Sequence, residues 1–576
     1  MAEVATPPPS VNLEADGLVR GVGFLGLLWT SEGSIIGSGW LFGALTAASI
    51  AGPSAILAWI AASIIVIGLA LVHAELGGLF PVTGGTGRFP HYAFGSFAGG
   101  TFGWMAYLQA ASVAPIEVLA TVQYMSSYSG LGSWYQPPPN NTLHSWGFAA
   151  AIGLLILFTA INLYGIRWLA RINNYVTTWK VIIPVLTIII FLLFKFHSHN
   201  FSAGGGFFVK GAAVKDILIA IPGGGIVFSL LGFEQAVQLG GEAANPKRDI
   251  GRAVIYSIFI GATIYTLVQV AFIGAISPKL LTNGQTWTEI ATPGSSPLKA
   301  ALASAPFYSV AKVAGLAWLA FILRLDAVIS PSGTGLVYGT SASRILFGLS
   351  KNGYIPQVFE STTRRTRVPA VAVIFSMIIG LGFLLPFPAW STLVGVVTAA
   401  SVLMYAGAPL SLAALRLSKP ELPRAYHLPA ANVLAPVSFI GANWIVYWSG
   451  WGVYTTLIVA IVIGYVLMLL SGVFKLNPNQ PKIDWQGAYW ILPYIIGMGV
   501  ISYFGGFGSG GIIAGVGSFK TVFVGGNGDL PLYWDLLVVA VFSLMIFYAA
   551  MYFRLPSERV DKYVEEVYPT PESVGH

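Results

Sequence analysis

In a chain whose residues are 55% hydrophobic and only 9% charged, a charge inside an apolar run is costly to hold and is a candidate for chemistry. Lys180 is one. It lies in Thr177-Thr-Trp-Lys-Val-Ile-Ile-Pro184, roughly 14 Å along a helix from Arg171, too deep to snorkel to an interface. An ammonium there is a coupling device: protonated it ties helices together, and neutral it lets them part. The alternative is a permanent structural cation. Arg324 and Asp326 share another apolar run. Two positions apart on a helix they do not face each other, so each needs its own partner. Asp326 is the candidate for Lys180. Arg324 has Glu32 or a substrate carboxylate, since Arg binds carboxylates with bidentate geometry; a purely structural pair with Glu32 or Glu117 is the alternative. Glu234 is either a second proton carrier or a holder of broken backbone. Glu117, after Pro115, reads as a hydrogen-bonded structural carboxyl, and Glu75 and His73 as solvated or locally paired.

Backbone is the second source of chemistry. Gly33-Ser-Ile-Ile-Gly-Ser-Gly39 places three glycines in the first long apolar segment, and each costs a helix about 1 kcal/mol relative to Ala. Freed backbone at membrane depth is tolerated where it lines a cavity; close packing of helices through small residues is the competing reading. A second interruption, near Ser229 to Gly232, falls in Ile221-Pro-Gly-Gly-Gly-Ile-Val-Phe-Ser-Leu-Leu-Gly-Phe-Glu234. The N–H groups of about Ile36 to Gly39, at the start of a half-helix, suit the carboxylate of an amino acid. Carbonyls near Phe228 to Leu231 suit its ammonium. The candidate binding set is therefore Ser34, Ile35, Ile36, Gly37, Ser38, Gly39, Phe228, Ser229, Leu231 and Arg324, with Lys180, Asp326, Glu234 and Glu32 as the proton-coupling set.

Those residues must be positioned by membrane helices. Apolar runs fall near residues 20–50, 53–79, 99–128, 146–166, 173–195, 216–242, 253–277, 309–343, 368–387, 390–415, 432–450, 453–473, 487–505 and 531–553, about fourteen spans. The chain reads as an all-α polytopic membrane protein. Its parts are a tail (1–19), a transport core (20–430, repeats about 20–195 and 216–415), peripheral helices (431–553) and a second tail (554–576). With the N-terminus inside, most of the 29 basic residues, among them Arg167, Arg171, Lys247, Arg248, Arg365 and Arg416, lie inside. Lys195, Lys210, Lys215, Lys279, Lys299, Lys312 and Lys520 lie outside, so both termini are expected in the cytoplasm. Glycine breaks in the first and sixth segments point to two inverted halves around a midplane site.

Here the residues reach a known family. Gly33-Ser-Ile-Ile-Gly-Ser-Gly39 resembles the first-helix signature of the amino acid–polyamine–organocation permeases. Gly232-Phe-Glu234 with Gly241-Glu-Ala-Ala-Asn-Pro-Lys-Arg-Asp-Ile250 resembles its sixth-helix signature. The resemblance covers residues 20–415 and implies a LeuT-like 5+5 inverted repeat, with about four further helices after residue 430. Glu32-Gly-Ser-Ile-Ile-Gly-Ser-Gly-Trp40 and Asp326-Ala-Val-Ile-Ser-Pro-Ser-Gly333 look most like the family's bacterial aspartate–proton symporter branch. It also implies that Phe228 is an aromatic gate, against a plain packing role. Lys180 would stand in for a sodium ion against the first and eighth helices.

The expected function is a secondary transporter importing an amino acid, preferably aspartate or glutamate, with protons, in the plasma membrane. An exchanger, or a proton-coupled carrier of neutral amino acids, is the alternative; an amino acid sensor is a different class, disfavoured by short tails. No HExxH motif is legible, cysteine is absent, and the ionisable residues form no repeated ring such as a channel uses. No metal or cofactor is expected beyond the coupling protons. The partners are substrate and lipid; the +7 charge is read by location, not as a nucleic-acid footprint. Oligomeric state is not fixed by the sequence. The N-terminus lacks a signal-peptide pattern. Thr83-Gly-Gly-Thr-Gly87 lacks the lysine of a phosphate loop and reads as a flexible inner hinge. Asn140-Asn-Thr142 and Asn200-Phe-Ser202 are sequons on expected outer loops.

Overall fold

The computed structural model describes residues 21–136, 142–164, 166–209, 213–281, 285–291, 296–364, 366–385, 390–508 and 525–567, with backbone alone at 166–172, 392 and 566. The expected tail 1–19, residues 568–576 of the other tail, the start of the Asn140 sequon, Lys210, Arg365, Lys520 and the side chains of Arg167 and Arg171 lie outside the described residues.

The helices run in order α1 (Phe24–Ile35), α2 (Ser38–Ala51), α3 (Ala55–Leu79), α4 (Gly85–Phe94), α5 (Ser96–Met125), α6 (Ser145–Tyr164), α7 (Ile166–Phe194), α8 (Ala213–Gly223), α9 (Ile226–Leu230), α10 (Gln235–Gln238), α11 (Pro246–Ala275), α12 (Pro297–Ser304), α13 (Pro306–Val313) and α14 (Ala317–Lys351). After these come α15 (Ala370–Leu384), α16 (Trp390–Ser418), α17 (Ala431–Trp448), α18 (Trp451–Val473), α19 (Ile491–Phe504), α20 (Trp534–Tyr552) and α21 (Ser557–Val567). Among the described residues, ten helical stretches are long and apolar enough to cross a membrane. The apolar lengths of α5 and α16 are almost wholly buried, while α6 and α18 turn most of theirs outward. Helices apolar all round suit both positions, because the outward face meets lipid. α14 packs on α5 and α11 on α3, and α1 lies among α7, α10, α11 and α14.

The first segment breaks because Ile36 (φ −85°, ψ 86°) and Gly37 (φ −122°, ψ −141°) leave the helical region. The sixth is broken twice. Gly225 (φ 76°) interrupts it first, then Leu231 turns extended and Gly232 takes φ 123°. The expected single interruption near Ser229 to Gly232 therefore lies slightly later, over Leu231 to Glu234. The expected segment at 309–343 also differs: Ser309 belongs to the separate α13, and α14 starts at Ala317. That start places Arg324 two turns into its helix.

The ends of the broken segments are tied together. Gly21 and Val22 donate to the Glu242 carbonyl at 3.0 Å, and Ala244 to Val22 at 2.9 Å. The expected flexible hinge at Thr83 to Gly87 is instead buried and pinned. Gly84 donates to the Gln238 carbonyl at 3.0 Å, Gln238 bonds Thr86, and α4 starts at Gly85. Glu75 is paired rather than solvated. Its carboxylate takes a bidentate pair from Arg416 (3.0 and 2.5 Å), lies 3.0 Å from Arg424 Nε and accepts from Leu428 N at 2.7 Å. His73 bonds locally, Nδ1 to the Leu69 carbonyl at 2.7 Å. Asn200 is buried, its amide donating to the carbonyls of Ile273 and Ile276, so the Asn200 sequon offers no free side chain for glycosylation.

Candidate functional site

The two breaks face each other. A Cβ on Gly232 would stand 2.6 Å from the Ile35 nitrogen and 2.8 Å from the Ser34 carbonyl carbon. Glycine is required there both for its positive φ and for that approach. Between the breaks lies a cavity of about 10 Å³ lined by Ser34, Ile35, Gly37, Gly39, Val113, Glu117, Phe228, Leu231, Thr334 and Tyr338. That is room for about one water, so the breaks are closed on one another. Of the expected binding set, Ser34, Ile35, Gly37, Gly39, Phe228 and Leu231 line this space. Ile36 is beside it, its carbonyl accepting from Thr334 at 3.4 Å. Ser229 is committed to the Gly225 carbonyl at 2.7 Å.

An aromatic cap covers one side. Trp390, at the start of α16, donates from Nε1 to Ser38 Oγ at 2.8 Å. Phe228 meets its ring edge-on at 6.0 Å, and Phe42 lies 5.0 Å from it. Phe228 thus packs over the break and not into lipid.

Lys180 is fully buried. Its ammonium donates to the Gly33 carbonyl on α1 and, at 2.7 Å, to Thr334 Oγ1 on α14. Thr334 in turn donates to the Gly33 carbonyl at 2.9 Å. The side chain therefore straps α7 to both α1 and α14. The expected Lys180–Asp326 pair is not formed. Asp326 accepts instead from Trp40 Nε1 (3.1 Å), Trp179 Nε1 (2.9 Å) and Ser330 Oγ (2.7 Å). The reason is spacing: Thr334 lies two turns along α14 from Asp326, so one lysine cannot reach both levels.

Glu234 gathers donors from five residues. Gly232 N lies at 2.8 Å and Tyr405 OH at 2.6 Å, with Tyr338 OH and Gln235 Nε2 both at 3.1 Å and Gln109 Nε2 at 3.4 Å. Of its two expected roles, the geometry is that of a backbone holder. Glu32 is buried, and neither of its carboxylate oxygens has a partner.

Arg324 is not in this cavity and pairs with none of Glu32, Glu117 or any other carboxylate in the expected set. It donates to the Ser127 carbonyl just beyond α5. Its guanidinium is sandwiched between Tyr128 and Tyr308, 4.4 and 4.3 Å from the ring centroids. Such stacking on aromatic faces is a stable arrangement for Arg without an anion. Arg324 lies roughly 15 Å along α14 from Thr334, which lines the cavity.

Three features escaped the sequence. Thr334 follows directly after the quoted Asp326–Gly333 stretch, a signal that was available. Glu242, inside the quoted sixth-helix motif, forms a buried pair with Arg344 at 3.0 Å; its depth was not legible. Trp390 gave no signal at all. A second cavity of about 290 Å³ is lined by Gly26, Thr30, Asn173, Asn174, Thr340 and Ser341 among others. Among the described residues no cluster of His, Asp or Glu could hold a metal ion.

Comparison with known proteins gives a family and several relatives. A family model described as "Amino acid permease" matches residues 22–501. The chain is 34% identical to the glutamate/serine transporter AimA of Bacillus subtilis, over 93% of this chain and 94% of that one. It is also 34% identical to the aspartate-proton symporter of the same organism, over 93% and 96%. The branched-chain amino acid permease BcaP is 24% identical over 79% of this chain.

Proposed function

The chain belongs to the amino acid permease family, and from that premise we propose that it is a proton-coupled importer of amino acids with a preference for aspartate and glutamate. One observation carries the reading. Two broken helices meet at a small polar cavity, and a buried lysine straps one of them to its neighbours. Substrate would lie between the breaks, below Trp390 and Phe228. The cavity of about 290 Å³ is then the path to the cytoplasm, and the Glu242–Arg344 pair one of its closures. Lys180 holds α1 against α14 when protonated and frees it when neutral. Acidic preference rests on the two relatives at 34% identity, since Arg324 is elsewhere.

The same reading takes the broken segments, the short α15 and α17 as crossings, giving about fourteen in all. The core is a 5+5 inverted repeat, with peripheral helices from residue 431 and both termini in the cytoplasm of a plasma-membrane protein. The test is uptake of labelled aspartate, glutamate, serine and alanine into proteoliposomes, with and without an inward proton gradient. Accumulation of the acidic pair that collapses with the gradient supports the proposal. Uptake only when another amino acid is preloaded would make the protein an exchanger.

A further inference from the structure

Three of the four backbone donors expected to hold a substrate carboxylate, those of Ile36, Gly37 and Ser38, are already engaged. Ile36 N donates to the Glu32 carbonyl at 2.9 Å and Gly37 N to the Ile35 carbonyl at 3.1 Å. Ser38 N, the first donor of the fourteen-residue α2, donates at 2.8 Å to Glu117 Oε2. A carboxylate thus sits on the N-terminal end of the half-helix, where the helix dipole favours an anion. That carboxylate belongs to the protein. Glu117 is buried, and its second oxygen has no partner. A Cβ placed on Gly37 would stand 2.8 Å from that oxygen, so it points at the break itself.

We propose that Glu117 is a built-in stand-in for the carboxylate of the substrate, and that substrate displaces it only as Glu117 takes up a proton. The proposal rests on the amino acid reading given above. Two ionised carboxylates cannot share one donor at contact distance. An arriving carboxylate can claim Ser38 N only if Glu117 is neutralised. The titratable and charged groups facing Glu117 are few. Lys180 of α7 is the near cation and interacts with it electrostatically. Tyr265 of α11 also interacts with it, and its hydroxyl is spent on the Ile35 carbonyl. Tyr338 of α14 donates to Glu234. Lys180 is occupied by Gly33 and Thr334, so it does not hold Glu117 directly. The balance is simple: one proton joins Glu117 as the substrate carboxylate takes its place on Ser38, and it leaves when substrate departs and Glu117 returns. Glu117 decides whether a proton enters with the substrate, and Lys180 decides when α1 moves.

The experiment measures binding of labelled aspartate and serine to the purified, full-length protein across pH, with proton uptake recorded by a dye in weakly buffered solution. The wild type should take up about one proton per amino acid bound, and its apparent Kd should weaken about tenfold per pH unit above the titration of Glu117. Glu117→Gln keeps an acceptor for Ser38 N and has no proton to gain. It should flatten that slope by about one, bind more tightly than wild type at alkaline pH, and exchange amino acids without concentrating them. Binding to the wild type with no proton uptake would overturn the proposal even if the variant fails to fold. A Glu117→Gln slope equal to that of the wild type would overturn it as well. A wild type that binds no amino acid at any pH would sink the amino acid reading, and this proposal with it.

Discussion

Replacing Lys180 by Met removes an ammonium and keeps most of the apolar stem, so the change acts on two hydrogen bonds more than on packing. Those bonds go to the Gly33 carbonyl and to Thr334 Oγ1. Hydrogen bonds to charged groups contribute about 1.5–3 kcal/mol each. The Gly33 carbonyl is not orphaned by the change, because Thr334 still donates to it at 2.9 Å. The loss therefore falls towards the lower end, about 3 kcal/mol for the pair. That is a shift of about a hundredfold in the balance between α1 held against α7 and α14 and α1 released. In proteoliposomes, Lys180→Met should exchange labelled for unlabelled aspartate but fail to concentrate it under an inward proton gradient. Binding should keep the pH slope of the wild type, which separates this variant from Glu117→Gln. Gradient-driven accumulation at the level of the wild type would refute the reasoning.

Three further perturbations probe the rest of the molecule. Glu75→Gln strips the anion from Arg416 and Arg424; breaking such a pair costs about 3–5 kcal/mol when fully buried. The partial exposure of Arg416 moves the expectation to the low end, and an unchanged unfolding temperature would exclude a stabilising role. Arg324→Ala should leave the competition profile of aspartate and glutamate against a labelled substrate intact, because the guanidinium stacks on Tyr128 and Tyr308 away from the cavity; selective loss of the acidic substrates would place it back in recognition. His91, on the buried α4, is held down at about 3 by burial and by Arg88. The unfolded chain takes that proton from about pH 6.5 downward and the folded chain does not. Stability should therefore fall by up to about 1.4 kcal/mol per pH unit between those limits. A His91→Gln variant should show a flatter dependence of unfolding temperature over that range; parallel curves would contradict the assignment.

The sequence by itself determined the class and where the first and sixth apolar segments break. Scarce charge in long apolar runs leaves a chain no option but the bilayer. Glycines that weaken a helix within such runs mark where backbone is freed, and Ser34, Gly37, Gly39, Phe228 and Leu231 duly meet at one cavity. Local rules sufficed because helix breaking is a property of neighbouring residues. Partners of buried charges are not. Lys180 was assigned to Asp326 and reaches Gly33 and Thr334, while Asp326 is served by Trp40, Trp179 and Ser330. Arg324 was assigned to an acid and found two tyrosine rings. Glu117, read as a structural carboxyl, sits on Ser38 N, one of the donors expected for a substrate carboxylate. Each outcome depends on which helix lies beside which and on a register of one turn. Those are fixed by packing between segments far apart in the chain, so only the tertiary structure decides them.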